Sequence, residues 1–190
     1  MFPIDAFQRT LGKATNIFRK LGIRFHLTGG VAAVYYAEPR LTQDIDIVID
    51  NAQTQATLDD LLESLDASDF LFDAESVRRA VSNRGMFSLL DRQESLKLDI
   101  YPRELIPGEL DRSVAQEVFK GTMIPVASRA DTVLSKLVWA SKGSIKSRRD
   151  VRQMFRQAPE EDRQIIERFS DQLGLSRLLQ ELLAERDEID

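Results

Sequence analysis

Aspartates stand where a β-strand would ordinarily exclude them. In QDIDIVID, residues 43–50, Ile45, Ile47 and Ile49 alternate with Asp44, Asp46 and Val48, a strand pattern of period two. Asp is depleted in strands. Side chains two apart share a face at about 7 Å, and like charges that close repel unless something neutralises them. A hard divalent cation between Asp44 and Asp46 removes the repulsion. Magnesium suits the place, because it takes oxygen ligands, keeps several waters and is shared between one or two carboxylates and substrate phosphates. In LKLDIYP, Leu96, Leu98 and Ile100 alternate with Lys97, Asp99 and Tyr101, so Asp99 lies on the polar face of its own strand. If that strand neighbours the first, three carboxylates converge. Such a cluster serves two-metal phosphoryl transfer, one ion acidifying the attacking hydroxyl and the other steadying the leaving group.

A second feature lies just upstream. Phe25–Thr28 reads as a short strand, Gly29 and Gly30 break it, and Val31–Ala37 reads as a helix. A strand–Gly-Gly–helix turn exposes backbone N–H groups at a helix start, an anion site suited to a triphosphate, and glycine lets the ligand approach closely. Thr28 adds a hydroxyl. No Walker A loop occurs. Taken alone, the two glycines describe an ordinary tight turn; followed by Asp-Ile-Asp they point to phosphate chemistry.

These residues need a scaffold. Phe7–Leu21 carries apolar residues at helical spacing, and Thr54–Leu65 reads as one helix. A short strand at Phe70–Phe72 and a short helix at Glu75–Val81 follow. Met86–Leu90 and Ser95–Tyr101 pair around the turn DRQE. Glu109–Phe119 is expected to be partly helical, and Met123–Val126 extended. Four helices close the chain: Arg129–Ser141, Ser147–Gln157, Glu161–Leu173 and Ser176–Glu188. The expectation is a mixed α/β (α+β) fold, a mixed sheet flanked by helices over residues 1–127 with a helical part over 128–190.

Composition narrows the classes. The 190 residues suffice for one domain with a real core or a domain plus a helical appendage. No apolar run approaches the roughly 20 residues of a membrane helix, and the N-terminus lacks the pattern of a secretory signal. The absence of cysteine excludes disulfides and fits a cytoplasmic protein. The single histidine, His26, argues against a histidine-based zinc site and reads as a packed residue. Net charge is −5, against a simple nucleic-acid coat, but it is unevenly spread. Lys136–Arg156 holds seven Lys or Arg and one acid, whereas Glu160–Asp190 holds ten acids and four Arg. The basic run is either an RNA-facing surface or a solvated helix face. Trp139 reads as core, alongside Leu134, Leu137 and Val138.

The stretch HLTGGVAAVYYAEPRLTQDIDIVID resembles the nucleotidyltransferase superfamily of the DNA polymerase beta type. In its finer form, Gly-Gly, a small-residue helix, then Arg40-x-Thr42-x-Asp44-x-Asp46, it is similar to the AbiEii toxin-like branch. ASRADTVLSKLVWASKGSIKSRRDVRQMF resembles that branch's second, softer motif through Lys136 and Asp150. The resemblance implies a mixed-sheet core that binds a magnesium nucleoside triphosphate and transfers a nucleoside monophosphate. Two magnesium ions are implied, with manganese the alternative. Gly29, Gly30, Thr28, Arg40 and Thr42 are implied on the phosphate side, and Asp44, Asp46 and Asp99 at the metals, with Asp99 a candidate base. Lys136 is implied to reach a phosphate or the acceptor, and Asp150 to orient it. The acceptor implied is RNA, tRNA first, or a protein hydroxyl, within a toxin–antitoxin or phage-defence pair with a cognate antitoxin. An antibiotic-like small acceptor and a catalytically inactive nucleotide- or partner-binding relative stay open. Each residue has a plainer reading as well: Asp99 as a solvated strand residue, Lys136 as a snorkelling lysine, Asp150 as a surface partner of Arg149, Asp50 as a cap.

Overall fold

The computed structural model describes residues 4–37 and 45–185; Arg40, Thr42 and Asp44 lie outside the described residues. In chain order the elements begin α1 (Ile4–Lys20), β1 (Phe25–Thr28), α2 (Gly29–Val34), β2 (Ile45–Ile49), α3 (Asn51–Ala56) and α4 (Leu58–Asp66). Next come β3 (Phe70–Leu71), α5 (Ala74–Asn83), β4 (Phe87–Asp91), β5 (Leu96–Tyr101), β6 (Val114–Phe119) and β7 (Thr122–Val126). The chain closes with α6 (Arg129–Ser141), α7 (Ile145–Arg156), α8 (Glu160–Gln172) and α9 (Ser176–Ala184). This is a mixed α/β fold built on one seven-stranded sheet of order β3-β4-β5-β2-β1-β7-β6. The β2–β5 and β1–β7 pairs are parallel and the other four antiparallel.

The alternation of β2 and β5 decides which face is buried. Ile45, Ile47 and Ile49 join Leu98 and Ile100 in an apolar cluster with Leu11 and Phe18 of α1, Leu61 and Leu65 of α4, and Val77 and Val81 of α5. Aspartates on that face would have to shed their hydration with no partner, so the alternation leaves them on the opposite one. A second cluster gathers α6–α9 around Leu134, Leu137, Val151, Met154, Ile166 and Leu182, and takes in Ile106 from the segment after β5.

Two local expectations fail for identifiable reasons. The helix expected over Thr54–Leu65 starts earlier, where Asp50 caps α3 by accepting from the Gln53 N–H, and breaks at Thr57 (φ −120°, ψ 23°). Thr54 and Thr57 each donate a hydroxyl hydrogen bond to the carbonyl four residues back, at 2.6 and 2.9 Å, a back-bonding pattern that bends helices. The segment Glu109–Phe119 is not helical: turns lead into edge strand β6, which hairpins through Gly121 (φ +75°) onto β7. None of the six β6 residues is fully buried, so neither face supplied the alternation by which strands are recognised. Among the described residues no helix is long and apolar enough to cross a membrane.

Candidate active site

The register of three neighbouring strands assembles one polar face. Across β1 and β2, Thr28 stands opposite Asp46 and His26 opposite Val48. Across β2 and β5, Asp46 stands beside Asp99 and Val48 beside Tyr101. Residues paired across a ladder share a face. Over it opens a cleft of about 260 Å³ that also takes in Gly29, Gly30 and side chains from α6, the α6–α7 turn and α7.

Gly29 is fitted to Asp46. Its φ of +64° lies where side chains are rarely tolerated, and a Cβ there would overlap the Asp46 carboxylate, 2.7 Å from its Cγ. Thr28, the residue before α2, makes no side-chain capping bond to the helix. The Tyr101 hydroxyl donates to Asp46 Oδ1 at 3.3 Å. Burial, reinforced by the charges of Asp46 and Asp99, pushes the Tyr101 phenol well above its ordinary pKa.

Asp99 lies beside Asp46 in the register, yet its carboxylate is engaged elsewhere. Oδ1 accepts from Ser88 at 2.6 Å and Oδ2 from Lys97 Nζ at 2.8 Å, and the residue is not part of the cleft lining. Among the described residues no three carboxylates or histidines come together as a metal cluster; Asp44 is outside that set.

On the opposite wall, Lys136 of α6 and Asp150 of α7 are both buried, with Nζ 3.7 Å from Oδ2. Lys136, Lys142, Lys146 and Arg103 line the cleft together with the acids Asp46 and Glu109. Other cations of the basic run bond within the chain instead. Arg148 and Arg152 pair with Glu185 just beyond α9, and Arg156 donates to the Glu185 carbonyl at 3.4 Å.

Arg103, Trp139, Tyr101 and Glu109 are among the cleft residues that escape sequence reasoning. Trp139 is not core: it is 45% exposed, lines the cleft and carries the Lys142 ammonium 4.9 Å from its ring. At 100° per residue it sits about 140° around the helix from Leu134, an angle that already sets it off the core face. Tyr101 was visible only as a strand residue two after Asp99. Glu109 carried no signal. Its carboxyl is 1% exposed, accepts the Leu105 N–H at 2.6 Å, and is pushed up to about 7, chiefly by burial and further by Asp131 and Glu104. His26 is fully buried, as expected, and burial together with the Arg112 charge holds it down at about 4.

A family model described as nucleotidyl transferase AbiEii toxin, type IV toxin–antitoxin system, matches residues 14–187. Among curated proteins no sequence matches. The fold is similar to the solution structure of the antibiotic-resistance factor ANT(2'')-Ia, with a TM-score of 0.52 and 13% identity over 97% of this chain and 91% of that one. It is also similar to an antigenic nucleotidyltransferase-like protein from Paracoccidioides brasiliensis, with a TM-score of 0.51 and 18% identity over 93% of each chain. At such identities the likeness establishes the nucleotidyltransferase fold.

Proposed function

The chain belongs to the AbiEii nucleotidyl transferase toxin family, and from that premise we propose that it transfers a nucleoside monophosphate from a magnesium nucleoside triphosphate to an acceptor hydroxyl. One observation carries the reading. Asp46 is lodged against the side-chain-free Gly29 at a strand–Gly-Gly–helix turn, in a cleft whose other wall is cationic. The backbone N–H groups of Gly29 and Gly30, with the Thr28 hydroxyl, receive the triphosphate. Lys136, steadied by Asp150, meets a phosphate from the far wall. Arg40 and Thr42 complete the phosphate side.

Asp46, with Asp44, fits a hard cation by donor chemistry, since both supply carboxylate oxygens; Asp99, one strand over, joins them by giving up its Lys97 partner. The cleft opens over Gly29, Gly30 and Asp46 together, which leaves room for phosphate next to the Asp46 carboxylate. When bound, magnesium, or manganese in its place, supplies charge neutralisation at the phosphates and lowers the pKa of the attacking hydroxyl. The acceptor oxygen bonds to the α-phosphorus and pyrophosphate leaves.

The lining bears on the acceptor. Among the described lining residues four cations face two acids, which favours a polyanion over a cationic small molecule. RNA, above all tRNA, is therefore the acceptor we propose, with a protein hydroxyl the next reading. In this account the protein is the toxin of a toxin–antitoxin or phage-defence pair, working in the cytoplasm and held in check by a cognate antitoxin.

Incubating the chain with each α-labelled triphosphate, magnesium, total RNA and total protein tests the proposal. Label is expected in the RNA fraction and absent with Asp46→Asn. Label in protein or in a small-molecule fraction moves the acceptor assignment. No label in any pool, or full transfer by Asp46→Asn, overturns the reading.

A further inference from the structure

Glu109 and His26 form a buried acid–base pair at the cleft. Ser113 makes the histidine tautomer legible. The single Ser113 hydroxyl proton goes to the Leu110 carbonyl at 2.8 Å, with the Glu109 carbonyl at 3.3 Å. Its oxygen is therefore the acceptor for His26 Nδ1–H, at 2.8 Å. Nε2 then carries a lone pair. It is buried without a hydrogen-bond partner and lies 3.7 Å from Glu109 Oε2. Glu109 Oε1 is taken by the Leu105 N–H, so Oε2 is the oxygen left beside the imidazole, on a residue that lines the cleft.

The pair also sits at a useful distance from the phosphate end. His26 and Thr28 share a sheet face two residues apart, about 7 Å along the strand, and Thr28 is opposite Asp46. Glu109, beside His26, lines the same cleft as Thr28 and Asp46. Asp99, the other carboxylate of this face, is committed to Ser88 and Lys97.

We propose that Glu109 Oε2, positioned by His26, takes the proton from the acceptor hydroxyl during nucleotidyl transfer, rather than Asp99. The inference rests on the transferase reading above. The acceptor O–H bond breaks and its proton goes to Oε2. The freed oxygen pair bonds to the α-phosphorus, the bond from that phosphorus to the bridging oxygen breaks, and its electron pair leaves on pyrophosphate. Once protonated, Glu109 closes the 3.7 Å gap to His26 Nε2 to donate a hydrogen bond there, and it gives up its proton to solvent when products depart. The groups facing Glu109 are the Asp131 carboxylate of α6, the Glu104 carboxylate and Arg112 guanidinium of its own segment, and His26 of β1. Asp131 and Glu104 work with burial to bring its pKa to about 7, where a general base is most effective near neutral pH. The histidine, at about 4, stays neutral and acts as a positioning residue.

The chain has one histidine, so ¹⁵N-histidine spectra report on His26 alone. The expected spectrum shows an Nδ1–H tautomer whose Nε2 resonance shifts with a midpoint near pH 7, as Glu109 ionises, and loses that shift in Glu109→Gln. An imidazole that gains its second proton near 6.5 overturns the pair. The kinetic test is pyrophosphate release from the four magnesium triphosphates with pooled cellular RNA and protein, followed across pH. Wild-type rate is expected to rise through a midpoint near 7. Glu109→Gln is expected to lose roughly 10²–10⁴-fold in rate and the rising limb, while triphosphate binding measured by calorimetry is kept. His26→Leu is expected to move the midpoint down, because protonated Glu109 loses its acceptor. Asp99→Asn is expected to keep the limb near 7 on whatever activity remains, a result independent of how well Glu109→Gln folds. A limb lost in Asp99→Asn, or kept with wild-type rate in Glu109→Gln, overturns the assignment. If Asp46→Asn also turns over like wild type, the transferase reading fails with it; if Asp46→Asn is dead, only the base assignment fails.

Discussion

Replacing Gly29 by alanine puts a methyl group into space that the Asp46 side chain already fills. Two costs add. The backbone at φ +64° is a left-handed conformation that costs a residue bearing a Cβ about 1–2 kcal/mol. The new Cβ would also lie 2.7 Å from Asp46 Cγ and 3.0 Å from its Cβ, closer than carbon atoms tolerate, so the carboxylate must swing away from the Tyr101 hydroxyl. Overpacking of this kind costs about 1–3 kcal/mol. The expected loss is about 2–5 kcal/mol, which in a chain of this size lowers the melting temperature by about 2–4 °C per kcal/mol. A double-mutant cycle in urea separates the two costs. In an Asp46→Ala background the carboxylate is gone, so Gly29→Ala should cost only the backbone share, and the coupling should be about 1–3 kcal/mol. Equal costs in the two backgrounds would refute the claim that Gly29 exists to admit Asp46. The single variant should also lose nucleotidyl transfer, because the displaced carboxylate no longer faces the phosphate turn.

Gly30→Val should weaken triphosphate binding by calorimetry, since a branched side chain blocks approach to the backbone N–H groups; unchanged affinity in a folded variant would leave the glycines as a plain turn. Reversing Lys142 and Lys146 to Glu should reduce label transfer to RNA and flatten its salt dependence, by about 0.7 in log–log slope for each single-strand phosphate that the two lysines neutralise. Reversing Arg148 and Arg152 should act instead through stability, by releasing Glu185 from α7; these pairs are partly exposed, so each is worth at most about 1 kcal/mol and fades with salt. Stability against pH carries a cancellation. Glu109, raised to about 7, stabilises the fold fully below the ordinary Glu range and loses that contribution as pH rises to 7, whereas His26, lowered to about 4, costs stability as pH falls from 6.5 to 4. The two trends oppose between about 4.5 and 6.5, so Glu109→Gln should unmask the histidine, and urea melts should then show a loss on the order of 3 kcal/mol on acidification across that window.

Local patterns carried much of the architecture. The four residues of β1, the bounds of α6, and the pairing of β4 with β5 follow from periodicity and turn residues within short windows, and such signals need no knowledge of the rest of the chain. The side on which Asp46 stands was legible too, because the alternation with Ile45, Ile47 and Ile49 leaves the fold only one face to bury. Tertiary structure decided what lies across gaps in sequence. Only the parallel pairing of β2 with β5 sets Asp99 beside Asp46, and only the β4 neighbour supplies the Ser88 that, with Lys97, occupies its carboxylate. Only the packing of α9 against α7 turns Arg148 and Arg152 toward Glu185, converting part of an apparent nucleic-acid surface into intramolecular ion pairs. Glu109 and His26 stand 83 positions apart and meet because the turns before β6 fold back over β1. A carboxyl in an irregular segment has no period to betray it; its burial, and with it the raised pKa that supports the proposed role as base, exists only once the chain has closed around it.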